Sequence, residues 1–165
     1  MRILGIDPGT GRTGWGVLDK NGGQERMVAY GCFETKANSE LVERLELIYK
    51  RIGELIDEYK PDEIAVEDLF FATNAKTAMS VGQARGVVLL AGRHKKLPIY
   101  SYTPLQVKSA VTGYGKADKK QIELMVVRIL GLKETPKPDD AADALAVALT
   151  HGSVPSHIPM LHSHH

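Results

Sequence analysis

The sequence has a single cysteine, Cys32. It can form no internal disulfide, which fits a reducing cytoplasm. It has no run of ~18 apolar residues, so no membrane span is expected. Arg2, Gly5 and Asp7 arrive too early for a secretory leader. Gly-x-Ser-x-Gly and the Walker A loop are both missing, and serines and histidines form no recognisable triad. Cys32 sits inside a predicted strand and reads as buried filler rather than a nucleophile. Gly9-Thr10-Gly11-Arg12-Thr13-Gly14 approaches a dinucleotide fingerprint. It leads into a strand instead of a helix, so the fingerprint fails, although its amides remain able to cradle a phosphate. The 16 glycines and 8 prolines are too scattered for a fibrous chain. At 165 residues the chain suits one domain and is too short for two-domain sugar kinases or actin-like ATPases.

What is present is unevenly distributed. The formal net charge is only +1, but residues 1–71 hold 9 Lys and Arg against 14 Asp and Glu. Residues 72–138 hold 12 against 3, and residues 139–165 hold none against 3. The basic middle either faces a polyanion or forms a solvated helical face.

Periodicity predicts the elements. Arg2–Asp7, Trp15–Leu18 and Arg26–Phe33 read as strands, the last two joined by a hairpin at Asn21-Gly22-Gly23. Leu41, Leu45, Ile48, Ile52 and Leu55 form a helical stripe, capped by Ser39 or Asn38 and stopped by Pro61. Glu63–Glu67 reads as a strand buried on both faces. A long helix follows over Asn74–Lys95, then a short strand over Pro98–Tyr102. Thr103-Pro104 opens a helix, Asp118 caps the next, Gly131 ends it, and Pro138 opens a last helix to about His151. The order β-β-β-α-β-α-β-α-α-α predicts an α/β mixed five-stranded sheet: three antiparallel strands, then two helix-linked strands, with helices on both faces. Residues 1–151 form the predicted domain. Residues 152–165 contain two prolines and no Lys, Arg, Asp or Glu, and read as a flexible tail. Its His162, His164 and His165 read as tail residues.

Four acids stand where a solvated surface would not put them. Asp7 and Glu67 end apolar strands, and Asp140 and Asp143 share one face of the last helix. Carboxylates entering a core need partners, and a hard divalent cation supplies several. Each also has a plainer reading. Asp7 suits a turn, Asp139 and Asp140 suit a helix N-terminus, and Asp143 can pair with a lysine. The four together, with Ala141, Ala142 and Ala144 allowing close approach to the sheet, favour the functional reading. Among Phe70 and Phe71, one can face an unpaired base. Lys108, Lys116, Lys119 and Lys120 flank the Gly113-Tyr114-Gly115 break, where they can reach a phosphate backbone. Gly82 and Gly86, four apart, suggest a close helix–helix contact, internal or between subunits.

Ile6-Asp7-Pro8-Gly9-Thr10, Glu67-Asp68-Leu69-Phe70 with Asn74-Ala75, Gly82-Gln83-Ala84-Arg85-Gly86 and Asp140-Ala141-Ala142-Asp143-Ala144-Leu145 resemble the RuvC family of bacterial Holliday-junction resolvases. Gln106-Val107-Lys108 and Gly113 to Lys119 share the resemblance, which runs in register to about residue 151. The resemblance implies a ribonuclease H-like fold and a cytoplasmic homodimer that nicks symmetric strands of four-way junction DNA. It implies Mg²⁺ as cofactor, two ions per site, with Mn²⁺ able to substitute, and cooperation with a RuvA–RuvB complex. By position, Asp7, Glu67, Asp140 and Asp143 match the family's metal-holding acids. Phe70 matches a base-engaging aromatic, and Lys108 and Lys119 match basic residues near the scissile strand. Phe71, Lys116 and Lys120 rest on the charge argument alone. Asp68 and Asp139, beside the matched acids, leave the register of the ligands open. The other readings are a nuclease of the same fold acting on RNA or RNA–DNA hybrid, a non-catalytic nucleic-acid-binding protein, and a small phosphotransferase.

Overall fold

A computed structural model of the chain describes residues 1–68 and 74–155. The elements follow the expected order: β1 (Arg2–Asp7), β2 (Arg12–Asn21), β3 (Gln24–Glu34), α1 (Leu41–Tyr59), β4 (Glu63–Glu67), α2 (Ala75–His94), β5 (Ile99–Tyr102), α3 (Pro104–Thr112), α4 (Lys119–Leu130) and α5 (Asp139–Ser153). One five-stranded sheet has the order β3-β2-β1-β4-β5. β1, β2 and β3 are antiparallel neighbours, while β4 runs parallel to β1 and β5 parallel to β4. The β2–β3 hairpin turns through Gly22 and Gly23 at φ 56° and 90°, values that only glycine adopts easily.

Strand alternation sorts the core into two layers. Ile3, Leu18 and Ala65 face α3, α4 and α5, where they meet Val107, Val126 and Leu145. Leu4, Ile6, Val17, Ile64 and Val66 face α1 and α2, where they meet Ile48, Ile52, Ala84 and Val88. Each large side chain fully buried in this way contributes about 1.5–3 kcal/mol of gross transfer free energy.

The helix ends carry two corrections. α1 begins after Glu40, whose backbone N–H donates to Glu43 Oε2 at 3.2 Å, so neither Ser39 nor Asn38 is the cap. Leu41, read as the first residue of the buried stripe, is exposed; the buried face is Ile48, Ile52, Leu55 and Ile56. Cys32 is half-buried rather than buried, and burial pushes its thiol up. The caps at Thr103, Asp118 and Gly131 stand as expected, while Asn74, read as the first residue of its helix, is instead the N-cap of α2 and accepts from the Lys76 N–H. α5 runs to Ser153, two residues beyond the predicted end. Among the described residues no helix is long and apolar enough to cross a membrane.

Candidate active site

Register brings the first two acids together. Gly5 lies beside Ala65 and Ile6 beside Val66, so one step further Asp7 lies beside Glu67. Alternation sends both to the α5 side, since Ile3 and Ala65 already face that layer. Across the other edge of β1, Asp7 pairs with Gly14. A Cβ on Gly14 would run into the Asp140 carbonyl oxygen, and one on Gly5 would run into the Ala144 carbonyl oxygen. Glycines therefore let the backbone of α5 lie directly on β1 and β2, and its acids arrive at Asp7.

All four acids are half-buried, so they keep an open side. Asp7 is pushed up to about 9, first by loss of water and then by Glu67, Asp143 and Asp140 around it. A hydrogen bond joins Asp7 to Glu67. Glu67 is also raised, mainly by burial and by Asp143, against the opposing pull of the Asp7 hydrogen bond, Lys119 and Lys108. Asp143 is raised by burial despite Lys119, whose Nζ lies 3.2 Å from Asp143 Oδ2 and 3.4 Å from Asp139 Oδ2. Burial opposes the charge on Lys119, but Asp143 and Asp139 outweigh it and hold the ammonium protonated. Asp140 faces Arg12 Nη1 at 3.9 Å, and Arg12 Nε is also 2.8 Å from Glu34.

Among the described residues, no three His, Cys, Asp or Glu side chains are drawn in closely enough to grip one ion as they stand. Each acid is balanced otherwise: Asp7 and Glu67 share a hydrogen bond, Asp143 turns to Lys119, and Asp140 turns to Arg12. The donor chemistry still fits a hard divalent cation. The four carboxylates, Asp7 and the three around it, supply only oxygen, with no sulfur or imidazole among them.

The two neighbouring acids separate cleanly. Asp68 falls on the opposite face of β4 and lies 3.2 Å from Arg85 Nη2. Asp139 is exposed at the start of α5 and pairs with Lys119 and Lys137. Lys108 and Lys119 both act on Glu67 electrostatically. Lys116 and Lys120 are exposed beyond them, on the α3–α4 connection and on α4. Phe70 and Phe71 lie outside the described residues. Sequence alone gave Arg12, Arg85 and Ser80 no role at the site. Ser80 Oγ is 2.5 Å from Thr10 Oγ1 in the loop after Asp7. Arg85 stood in the sequence within Gly82-Gln83-Ala84-Arg85-Gly86 and Arg12 within the glycine-rich loop, with nothing local to pair either with an acid.

Comparison with known proteins bears on this geometry. The family model described as crossover junction endodeoxyribonuclease RuvC matches residues 3–151. A protein of that name from Desulfitobacterium hafniense is 56% identical, covering 92% of each chain. One from Fusobacterium nucleatum is 53% identical, over 92% of this chain and 80% of its own length. Among solved structures, T. thermophilus RuvC in complex with Holliday junction substrate superposes with a TM-score of 0.86 at 41% identity, covering 92% of each chain. The yeast mitochondrial Holliday junction resolvase, at 13% identity and a TM-score of 0.69, shares the fold.

Proposed function

Because this chain belongs to the RuvC family of crossover junction endodeoxyribonucleases, we propose that it resolves Holliday junctions with the carboxylates gathered around Asp7. The reaction is phosphodiester hydrolysis in two symmetry-related strands of a four-way DNA junction, during recombination and repair. The observation that carries the assignment of the site is the raised Asp7 carboxyl with Glu67, Asp143 and Asp140 about it. Folding concentrates this much like charge only at a cost, and a polycationic ligand offsets that cost.

Asp7, Glu67, Asp140 and Asp143 are the metal-holding residues. Mg²⁺ suits an all-oxygen donor set, two ions suit four carboxylates, and Mn²⁺ accepts the same donors. When bound, such ions activate water and stabilise the leaving 3′-oxygen. The chain's own part is to lose the Asp7 proton and bring four carboxylates to bear at once. Lys119 holds Asp143 in place and, released from it, faces the phosphate of the scissile strand. Lys108 flanks Glu67 and does the same from α3. Lys116 and Lys120 contact phosphates further out, which positions DNA without reading its sequence. Phe70 and Phe71 follow Glu67 by three and four residues and serve as stacking surfaces for unpaired bases.

A homodimer completes the reading, since a junction has two equivalent strands to cut. Gly86 is exposed, and a Cβ there meets nothing within 4 Å, so among the described residues this glycine serves no contact. Met79 and Leu90, on the same side of α2, are 68% and 50% exposed. Their spacing makes one apolar stripe for a second copy. The nuclease domain is residues 1–151 extended by the last turn of α5 to Ser153, with the remainder to 165 as a tail. Cytoplasmic location and cooperation with a RuvA–RuvB complex belong to the same proposal.

The test is cleavage of a labelled four-way junction beside a linear duplex and an RNA–DNA hybrid, with and without Mg²⁺. Paired symmetric nicks in the junction alone, and only with metal, are expected. Cutting of the hybrid instead would move the activity to another nuclease class. Junction binding without cutting under any divalent ion would make the acids structural.

A further inference from the structure

We propose that Arg85 is a positioning residue for Glu67, set on the inner face of α2 to hold the end of β4 against β5. The proposal rests on Glu67 being a metal-holding carboxylate. β4 ends at Glu67, paired with Tyr102 of β5. Beyond that pair, the Asp68 N–H donates to the Tyr102 carbonyl at 2.7 Å. Arg85 adds two ties at the same place. Its Nη2 is 3.2 Å from Asp68 Oδ1 and donates to Ser101 Oγ at 2.6 Å. One nitrogen thus joins the residue after Glu67 to the residue before Tyr102.

Packing alone does not account for this guanidinium. The Arg85 side chain is 19% exposed, and its Nε is buried with no hydrogen-bond partner among the described residues. A methionine would fill the slot without a desolvated donor, so what the position uses is the charged Nη2 that reaches both Asp68 and Ser101. Alternation explains what this tie achieves. With Asp68 fixed on the α2 face, Glu67 is fixed on the opposite face, against the repulsion of Asp143 and beside Asp7. The same helix holds the other strand end, through Ser80 to Thr10. α2 therefore braces both segments that carry Asp7 and Glu67, from the side of the sheet away from the chemistry.

Arg85→Met tests the proposal, with Mn²⁺ binding to DNA-free protein measured by calorimetry and junction nicking measured in parallel. Mn²⁺ affinity and kcat should each fall about 10-fold or more. The junction KM should stay within about twofold, because the phosphate contacts are untouched. Arg85→Lys should recover part of kcat, and Ser101→Ala should shift both readouts the same way by less. Glu67→Gln, run alongside, keeps the two ideas apart: if it nicks at the parental rate, the reading of the site falls. If Glu67→Gln is inactive while folded Arg85→Met matches the parent in Mn²⁺ affinity and kcat, the positioning role is overturned and the site stands. Should Arg85→Met fail to fold, Ser101→Ala decides, and parental values there overturn the proposal.

Discussion

Asp7 binds its proton far more tightly in the folded chain than in the unfolded one, because folding strips its water and surrounds it with carboxylates. Its ordinary value is 3.8 and its folded value about 9. Between those values the native carboxyl keeps a proton that the unfolded one has lost, so stability falls as pH rises. Glu67 and Asp143, also raised by burial, add with the same sign. Thermal melts of the metal-free protein should therefore decline from pH 5 to pH 9, the window set by those shifts. Asp7→Asn should flatten the decline and raise the midpoint at pH 8 by about 2–4 °C or more. The same variant should lose nicking and keep junction binding, which separates the acid's work from the basic surface. A second residue-scale case lies at the far end of α5. His151 Nε2 is 2.5 Å from Glu63 Oε2, and Nδ1 is 2.6 Å from the Tyr102 hydroxyl. A carboxylate only accepts, so in the neutral ring Nε2 carries the proton and Nδ1 accepts from Tyr102. Tyr102→Phe should cost about 1–2 kcal/mol by leaving that nitrogen unpaired, read by denaturant unfolding. Nicking should be unaffected, since the ring beside Glu67 is kept and only the hydroxyl directed at His151 is removed.

At the scale of elements, the site depends on how closely α5 approaches the sheet. Gly5 and Gly16 pair across β1 and β2, and Gly14 pairs with Asp7. A Cβ on any of the three would strike α5. Opposite Gly5 stand Ala144 and Ala148, both buried. Gly14→Ala should push Asp140 away from Asp7, lowering stability by about 1–3 kcal/mol and nicking by more than that stability loss explains. Gly11→Ala, where a Cβ meets nothing within 4 Å, should change stability by no more than about 0.5 kcal/mol. Comparing the two variants by thermal melts and junction nicking checks the close-approach argument against a glycine in the neighbouring loop.

For the whole molecule, charge and apolar surface are divided between two tasks. The acids gather at the C-terminal ends of β1 and β4, Lys108 and Lys119 act on Glu67 from α3 and α4, and Lys116 and Lys120 are exposed on the same stretch of chain. On another side, α2 exposes Met79, Gly86 and Leu90. If a second copy covers this stripe, Gly86→Ala has opposite effects on chain and assembly. Alanine in an open helix position should favour the helix by up to about 1 kcal/mol. The added methyl should nonetheless weaken dimerisation by about tenfold, or 1.4 kcal/mol. Sedimentation across a concentration series reads the second effect and dilute thermal melts read the first. Unchanged association would remove this face from the interface.

Much of this was legible in the chain order of the residues. Hydrophobic period, caps and glycine stops are local, so the ten elements and their order could be read directly, with Glu40 and Leu41 as errors at one fraying end. The acids stood out because a carboxylate ending an apolar strand is anomalous wherever it occurs. Their mutual placement was not local. Asp7 meets Glu67 through the register of parallel strands, and Asp140 reaches Asp7 because glycines lie under α5. Whether Asp68 or Glu67 faced the site turned on which layer each strand face packs against, and the Arg85 contact shows that Asp68 faces α2. Lys119 stood in the sequence as a basic residue near a glycine break, while its pairing with Asp143 spans helices whose crossing no local pattern encodes. The sequence by itself determined which residues can carry charge into the sheet's end. Only the packing of helices on its two faces decided which of them meet, because electrostatic coupling depends on distances that tertiary contacts set.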